Sequence, residues 1–419
     1  MSYLQDYVFY ASGNECPDEY VYWAGLSILG HVLGNKVWVR HGEYRFHPNL
    51  YVCLVGDAGS GKNSSLGTNI EIMLNHFPEL MLSASIQSRE DVADLMASND
   101  CVRTWQDVEG DYGLKGTVNE YRPFYILNNE LASFLSVDKM KMVEFLTEVF
   151  DGKYFSTGFK GQRQIAPERK QWFKNPHVSL IAGAVPTWFM SALKMDLFGG
   201  GLGRRLIIVN AKRTKIIPNP CKPVGADLAI ARVIAHLKLA HAFYGEITRD
   251  AGAQAWWDNW YRNEWVIKVP HDPILGQFHQ TKPMQVLKVA TLLVCTELPL
   301  CKTMTAAHLQ FALTLIEKQE EPVRRLTAGI GRNELAGVGA QVIDFIERMG
   351  GAIPETELNK NFYRYLRDPE FVELLNHYKN TQQLVHVIND QVTPQKSYLF
   401  LPEKYQEYLA KRGGQKPPG

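Results

Sequence analysis

Four short apolar runs set the plan of this chain. Residues 49–55 (Asn-Leu-Tyr-Val-Cys-Leu-Val), Pro123–Leu127, His177–Ala182 and Leu206–Val209 are rich in β-formers. Apolar runs of strand length belong to strands buried on both faces, as in a parallel sheet. Helical apolar spacing fills the intervals, over 62–76 and over Asp138–Phe150. Strands alternating with helices in this way predict an α/β sheet.

The flanking segments follow other patterns. Tyr20–Leu33 has helical spacing and stops at Gly34-Asn35, and Lys36–Arg40 then alternates as a half-exposed strand does. Ser88-Arg89-Glu90-Asp91 is a capping box opening a helix. Residues 98–121 are polar and read as a surface excursion, and 153–171 reads as a hairpin around Gly158 and Gly161. Beyond 226 the pattern turns helical, over Leu228–Tyr244, Gly252–Trp265, Pro283–Cys295 and Thr305–Leu326. Trp256, Trp257, Trp260 and Trp265 read as packing residues rather than as a base-stacking surface. Residues 335–403 run helix, helix, helix, strand, turn, strand, with strands at Val385–Ile388 and Tyr398–Leu401, which is the order of a winged helix. The predicted organisation is a helical segment and hairpin (1–48), an α/β core (49–225), a helical lid (226–333), a winged helix (334–403) and a tail (404–419).

Composition removes several classes. Hydrophobic residues make up 45% and charged residues 21% of 419 residues, which excludes disorder, collagen and a small disulfide scaffold for the whole chain. No apolar run approaches the ~18–20 residues of a spanning helix, and the first residues lack the basic and apolar regions of a signal peptide. The expectation is a protein without membrane contact. The six cysteines show no C-x-x-C pair, so the chain reads as reduced and cytoplasmic. The histidines, His41 and His47 among them, read as ordinary surface or core residues rather than metal ligands.

The clearest chemical signal follows the first buried run. Gly56-Asp57-Ala58-Gly59-Ser60-Gly61-Lys62-Asn63-Ser64 fits G-x-x-x-x-G-K between a strand and a helix. Such glycines let successive N–H groups turn toward phosphate oxygens, and the helix N-terminus adds a favourable dipole. Lys62 is expected to reach the β- and γ-phosphates of ATP. The position after the lysine usually offers a hydroxyl to Mg²⁺; here it is Asn63, so an amide oxygen or Ser64 takes that place.

A second buried run, Tyr125-Ile126-Leu127, ends in Asn128-Asn129-Glu130. P-loop ATPases carry an acid at the end of a neighbouring strand. Glu130 is the candidate base that positions water, and Asn129 stands where a metal-side aspartate is expected. Capping of the next helix is the plainer role for Glu130.

Charge is unevenly spread. The chain holds 45 Lys+Arg against 44 Asp+Glu, yet residues 152–215 carry twelve basic and two acidic residues. That stretch is +10 and the remainder −9. Such segregation suits phosphate contact with nucleic acid. Lys160, Arg163, Arg169 and Lys170 are the candidate DNA-binding residues, on the hairpin. Gly199–Gly203 precedes Arg204-Arg205, and Arg205, in preference to Arg204, is the candidate finger toward a neighbouring subunit's nucleotide.

At these residues the chain resembles a phage and prophage P-loop family regarded as replicative DNA helicases or primase-associated ATPases. The resemblance is carried by Phe46–Val52 leading into the loop, Asn129–Leu135, Leu180–Pro186, Gly200–Arg205 and Lys282–Ala290. It covers roughly residues 1–325. More distantly the order is similar to hexameric AAA+ helicases of the superfamily-3 and MCM kind. That similarity implies an AAA+ core, a pre-sensor hairpin over 153–171 that touches DNA, and Lys282 beside the nucleotide as a second sensor. Asn63, Asn129 and Ala184 depart from the pattern where metal and first-sensor groups are expected.

Together these readings predict an ATP- and Mg²⁺-dependent DNA helicase or translocase, active as a homo-oligomeric ring on single-stranded DNA. The alternatives are a loader or scaffold that binds ATP and hardly turns it over, and a P-loop kinase of a small molecule.

Overall fold

The structure, a computed structural model, describes residues 2–80, 82–83, 88–106, 118–136, 139–152, 155–156, 172–194, 201–270, 273–320, 324, 335–362, 368–380, 384–389 and 396–411. The chain divides into two compact units, residues 1–323 and 324–419.

The first unit opens with α1 (Tyr3–Ala11) and α2 (Asp18–Leu33). Gly34 ends α2 at φ +65°, as the Gly-Asn signal predicts. β1 (Val37–His41) and β2 (Tyr44–Phe46) form an antiparallel hairpin, and β3 (Tyr51–Val55) is buried along its whole length. After α3 (Lys62–His76) come β4 (Leu82–Ser83), α4 (Arg89–Ala97), β5 (Arg103–Gln106) and β6 (Val118–Asn128). The Ser88 box is present: Ser88 Oγ accepts from Asp91 N at 3.1 Å, and an Asp91 carboxylate oxygen accepts from Ser88 N at 3.1 Å. The expected surface excursion over 98–121 thus contains β5 and the start of β6. α5 (Leu131–Ser136), α6 (Lys139–Val149), β7 (Phe155–Ser156), β8 (Trp172–Phe173), β9 (Pro176–Ala184), α7 (Pro186–Lys194) and β10 (Leu206–Asn210) complete this half.

The central sheet has the order β10-β3-β9-β6-β4 with all of these neighbours parallel, and β5 pairs antiparallel with β6. The fold is therefore mixed α/β around a mostly parallel sheet, as the apolar runs predict.

Helices then dominate: α8 (Ala226–Ala242), α9 (Ala251–Trp260), α10 (Pro273–Val294) and α11 (Ala306–Glu317). They do not stand apart from the sheet. One continuous core joins Tyr7 and Leu26 of the first helices, Val52 and Leu127 of the sheet, and Leu237, Trp257, Leu287 and Ile316 of the later helices. The tryptophans are packing residues, with Trp257 and Trp260 buried. α10 also differs from expectation, because it runs through Pro283 instead of starting there. Proline cannot donate to the carbonyl four residues earlier. That carbonyl, of His279, accepts instead from Trp265 Nε1 at 2.9 Å. Trp265 closes a π-helical turn, Tyr261–Trp265, that widens the end of α9.

Buried polar groups tie the loop helix to the sheet. Asn69 on α3 donates to Tyr125 Oη on β6 (3.0 Å) and to Ala24 O (2.9 Å), and accepts from Tyr7 Oη (2.5 Å). Tyr125 Oη donates in turn to Ser27 Oγ at 2.9 Å. A buried amide is tolerated when each of its polar atoms is satisfied in this way.

The second unit has its own apolar core around Val342, Ile353, Leu374 and Leu399. Its order is α12 (Leu335–Arg348), β11 (Ala352–Pro354), α13 (Glu355–Phe362), α14 (Asp368–Asn380), β12 (Val385–Asn389), β13 (Lys396–Phe400) and α15 (Pro402–Lys411), counting the sheet strands described here. β13 lies between β11 and β12, antiparallel to both. The sequence pattern misses β11, which is only three residues long.

Candidate functional site

β3 delivers the chain into a loop at the strand-end edge of the sheet. Gly56 N donates to Ala184 O at 3.1 Å, fixing the loop start to the end of β9. Tyr20 Oη lies 2.6 Å from Val55 O and 2.9 Å from Ala211 O, so α2 braces the ends of β3 and β10 together. Gly61 caps α3 at φ +88°, and a Cβ there would stand 2.8 Å from Cys16 Cα. The turn before α2 therefore presses on the loop from behind. Burial pushes the Cys16 thiol up to about 12, so this cysteine acts as an apolar filler.

Lys62 folds back over the loop. Its ammonium donates to Gly56 O (2.5 Å), Asp57 O (2.8 Å) and Ser60 Oγ (3.2 Å), and burial pulls its pKa down. A cation held only by neutral oxygens gains more from an anion. Asp57, Ala58 and Gly59 are exposed beside it. Asn63 and Ser64 are also exposed, on the first turn of α3. As an Mg²⁺ set these are neutral oxygen donors. Such donors would suit a hard cation only where a bound anion supplied the compensating charge.

β6 ends at the same edge, with Asn128 in register with Ala182 while Leu54 pairs with Gly183. β6 is not the direct neighbour of the loop strand, because β9 intervenes. Two strand spacings put the acid strand ~10 Å from β3. The chain approaches most closely at Gly183: a Cβ there would stand 2.5 Å from Asn129 O and 3.4 Å from Lys62 Cδ. Asn128 turns its side chain inward to accept from Glu130 N at 2.9 Å. Asn129 and Glu130 are exposed at the edge. The Glu130 carboxylate accepts from Ser133 Oγ at 3.0 Å, and its backbone carbonyl accepts from Ser133 N and Phe134 N at 3.1 and 3.2 Å in the first turn of α5.

The arginine pair lies at the other edge. A 3-10 turn, Gly203–Arg205, leads directly into β10, and Leu206 pairs with Tyr51 at the start of β3. Arg205 is engaged within its own chain, with Asp151 at 3.0 Å, Gly201 O at 2.9 Å and the Phe150 ring 5.6 Å away, leaving its side chain 10% exposed. Arg204 is exposed. Lys282 belongs to this edge too, because Thr281 and Gln285 on either side of it donate to Arg204 O. Lys282 pairs with Glu317 and Glu320. Its expected place beside the nucleotide is thus replaced by an ion pair between α10 and α11.

Lys160, Arg163, Arg169 and Lys170 lie outside the described residues. On either side of that stretch β7 pairs antiparallel with β8, Phe155 opposite Phe173. Elsewhere in the basic stretch, Arg213 pairs with Glu15 at 2.8 Å and Lys215 pairs with Asp18.

Sequence reading misses Tyr20, Cys16 and Gly183. Each acts across tens of residues, and no local spacing marks them. Compared with known proteins, the chain matches no family model and no curated sequence. Among the described residues, no helix is long and apolar enough to cross a membrane.

Proposed function

We propose that the first unit is a P-loop ATPase of the AAA+ kind, acting on nucleic acid as an oligomer in the manner of phage replication helicases. The observation that carries the reading is the shared edge: Lys62 over the Gly56–Gly61 turn, with Glu130 at the end of β6, two strands away across β9. The order of the second unit, with an antiparallel hairpin after its third helix, supports a winged helix. The basic 152–215 stretch supports a phosphate-backbone partner, single-stranded DNA in this proposal.

The test is magnesium-dependent ATP hydrolysis, with and without single-stranded DNA. Lys62→Ala should abolish nucleotide binding. Glu130→Gln should leave binding and cut turnover by about 10²–10⁴-fold. A chain that binds no nucleotide would sink the reading. The exposed amides of Asn63 and Asn129 favour one rival, an ATP-dependent loader. ATP-driven assembly without turnover would decide for it.

A further inference from the structure

Residues 15–20 stand between the glycine loop and later parts of the chain. Two of them back the loop. A Cβ on Gly61 would lie 2.8 Å from Cys16 Cα, and a Cβ on Gly56 would collide with Tyr20 Oη. Cys16 thus abuts the end of the loop and Tyr20 its start. The Cys16 backbone is held in its own turn, since Cys16 N donates to Asn14 Oδ1 at 2.8 Å.

The three acids among the same six residues are taken by cations from far along the chain. Glu15 Oε2 pairs with Arg213 Nη1 at 2.8 Å, Asp18 pairs with Lys215, and Glu19 Oε1 pairs with Lys318 at 3.2 Å. Glu15 does more than the other two, because its second oxygen accepts from Ile217 N at 2.8 Å. One carboxylate therefore binds both a side chain and the backbone of residues 213–217. That segment follows closely on β10, whose Asn210 is in register with Val55, the last residue before the loop. It runs past the turn as a strap, and Lys222 extends the contact by donating to Tyr10 Oη at 2.6 Å.

Exposed ion pairs add little to global stability, and Arg213 and Lys318 are 45% and 61% exposed. A carboxylate that also accepts from a backbone N–H makes the stronger, charge-assisted bond, and Glu15 is only 22% exposed. Its leverage is local, at the turn whose other side chains press on Gly56 and Gly61.

We infer that residues 15–20 are a bracket through which the 213–217 strap sets the shape of the glycine loop, with Glu15 as the positioning residue. The loop's grip on phosphate then depends on a carboxylate bonded to the strap. The inference rests on the nucleotide-loop reading and adds a regulation of that site. Whatever loosens the strap, raised ionic strength included, loosens the loop.

The test uses the full-length chain. Glu15→Ala should weaken ATP binding in calorimetry by about tenfold, the worth of one charge-assisted bond carried to the loop. In steady-state turnover the loss should fall on KM, with kcat unmoved. Arg213→Ala should act in the same direction from the strap side. Glu15→Gln keeps an acceptor for Ile217 N and should recover most of the affinity. Hydrogen exchange at the amides of residues 56–62, measured without nucleotide, should quicken in Glu15→Ala. It should not quicken in Lys268→Ala, which removes an exposed ion pair with Glu264 instead. Wild-type affinity and exchange in Glu15→Ala and Arg213→Ala, in chains whose thermal unfolding is unchanged, overturn the bracket. Equal loss in Lys268→Ala also overturns it, since general charge would then explain the effect. A wild-type chain that binds no ATP defeats the nucleotide reading instead, and loop exchange in Glu15→Ala still decides the bracket.

Discussion

The carbonyl oxygen of Asn129 lies 2.5 Å from the position a Cβ on Gly183 would take. Strand β9 can run between the loop and the acid strand only because this residue has no side chain. Gly183→Ala should force β6 away from β9 at the edge that carries the glycine loop. Overpacking of this kind costs about 1–3 kcal/mol. The variant should unfold at lower denaturant and lose ATP turnover while retaining its helical circular dichroism. Wild-type turnover in Gly183→Ala would show that the spacing of Glu130 is not critical.

Gly61 and Gly59 offer a paired test of the loop. Both have positive φ, +88° and +78°, and an L-residue in that region is strained by roughly 1–2 kcal/mol. Gly61 also abuts Cys16, whereas nothing lies within 4 Å of a Cβ at Gly59. Gly61→Ala should lose ATP affinity in calorimetry by more than Gly59→Ala. Equal losses would mean that backbone strain alone matters and that the Cys16 turn is not part of the site.

Lys288 gives a pH signature. Burial lowers its pKa from 10.5 to about 7, while its ammonium lies 3.8 Å from the centre of the Phe150 ring. Between those values the unfolded chain holds the proton and the folded chain does not. Stability from this group therefore rises with pH across that window and is lowest below about 7. Lys288→Met should remove a slope of up to about 1.4 kcal/mol per pH unit in urea titrations. The slope that persists belongs in part to Lys36, whose pKa burial lowers to about 8. An unchanged slope in Lys288→Met would contradict this account.

His31 and His47 work on the acid side. Burial lowers them from 6.5 to about 3 and about 4. Below 6.5 the unfolded chain binds protons that the folded chain refuses, so stability is full above that pH and is lost as pH falls toward those values. Going from about pH 7.5 to about pH 5.5 should cost roughly 2–3 kcal/mol from the pair. His31→Phe, which keeps a ring against Tyr125 (4.6 Å between centroids), should halve that loss. Acid sensitivity equal to wild type would rule out His31 as its source.

Much of the plan is legible in the chain. β3, β9 and β10 fall on apolar runs, and the loop and capping boxes need only local chemistry. The strand order does not follow from such runs, since nothing in residues 123–127 says that β9 will lie between them and β3. For the same reason Glu130 is farther from the loop strand than its sequence pattern implies. The partners of Arg205 and Lys282 are hidden for another reason: a basic residue reads alike in sequence whether it meets a phosphate or a carboxylate such as Asp151 or Glu320. Pro283 hides half of α10, because the carbonyl it leaves unbonded is taken by Trp265, from a different helix.

The continuous core has a practical and an evolutionary corollary. Leu237, Trp257 and Leu287 share it with Tyr7, Leu26 and Val52, so the glycine-loop edge is not a cassette bounded by residues 49 and 225. A fragment cut at those points would bare the faces that α2 and α10 cover, and recombination would have to exchange residues 1–323 together.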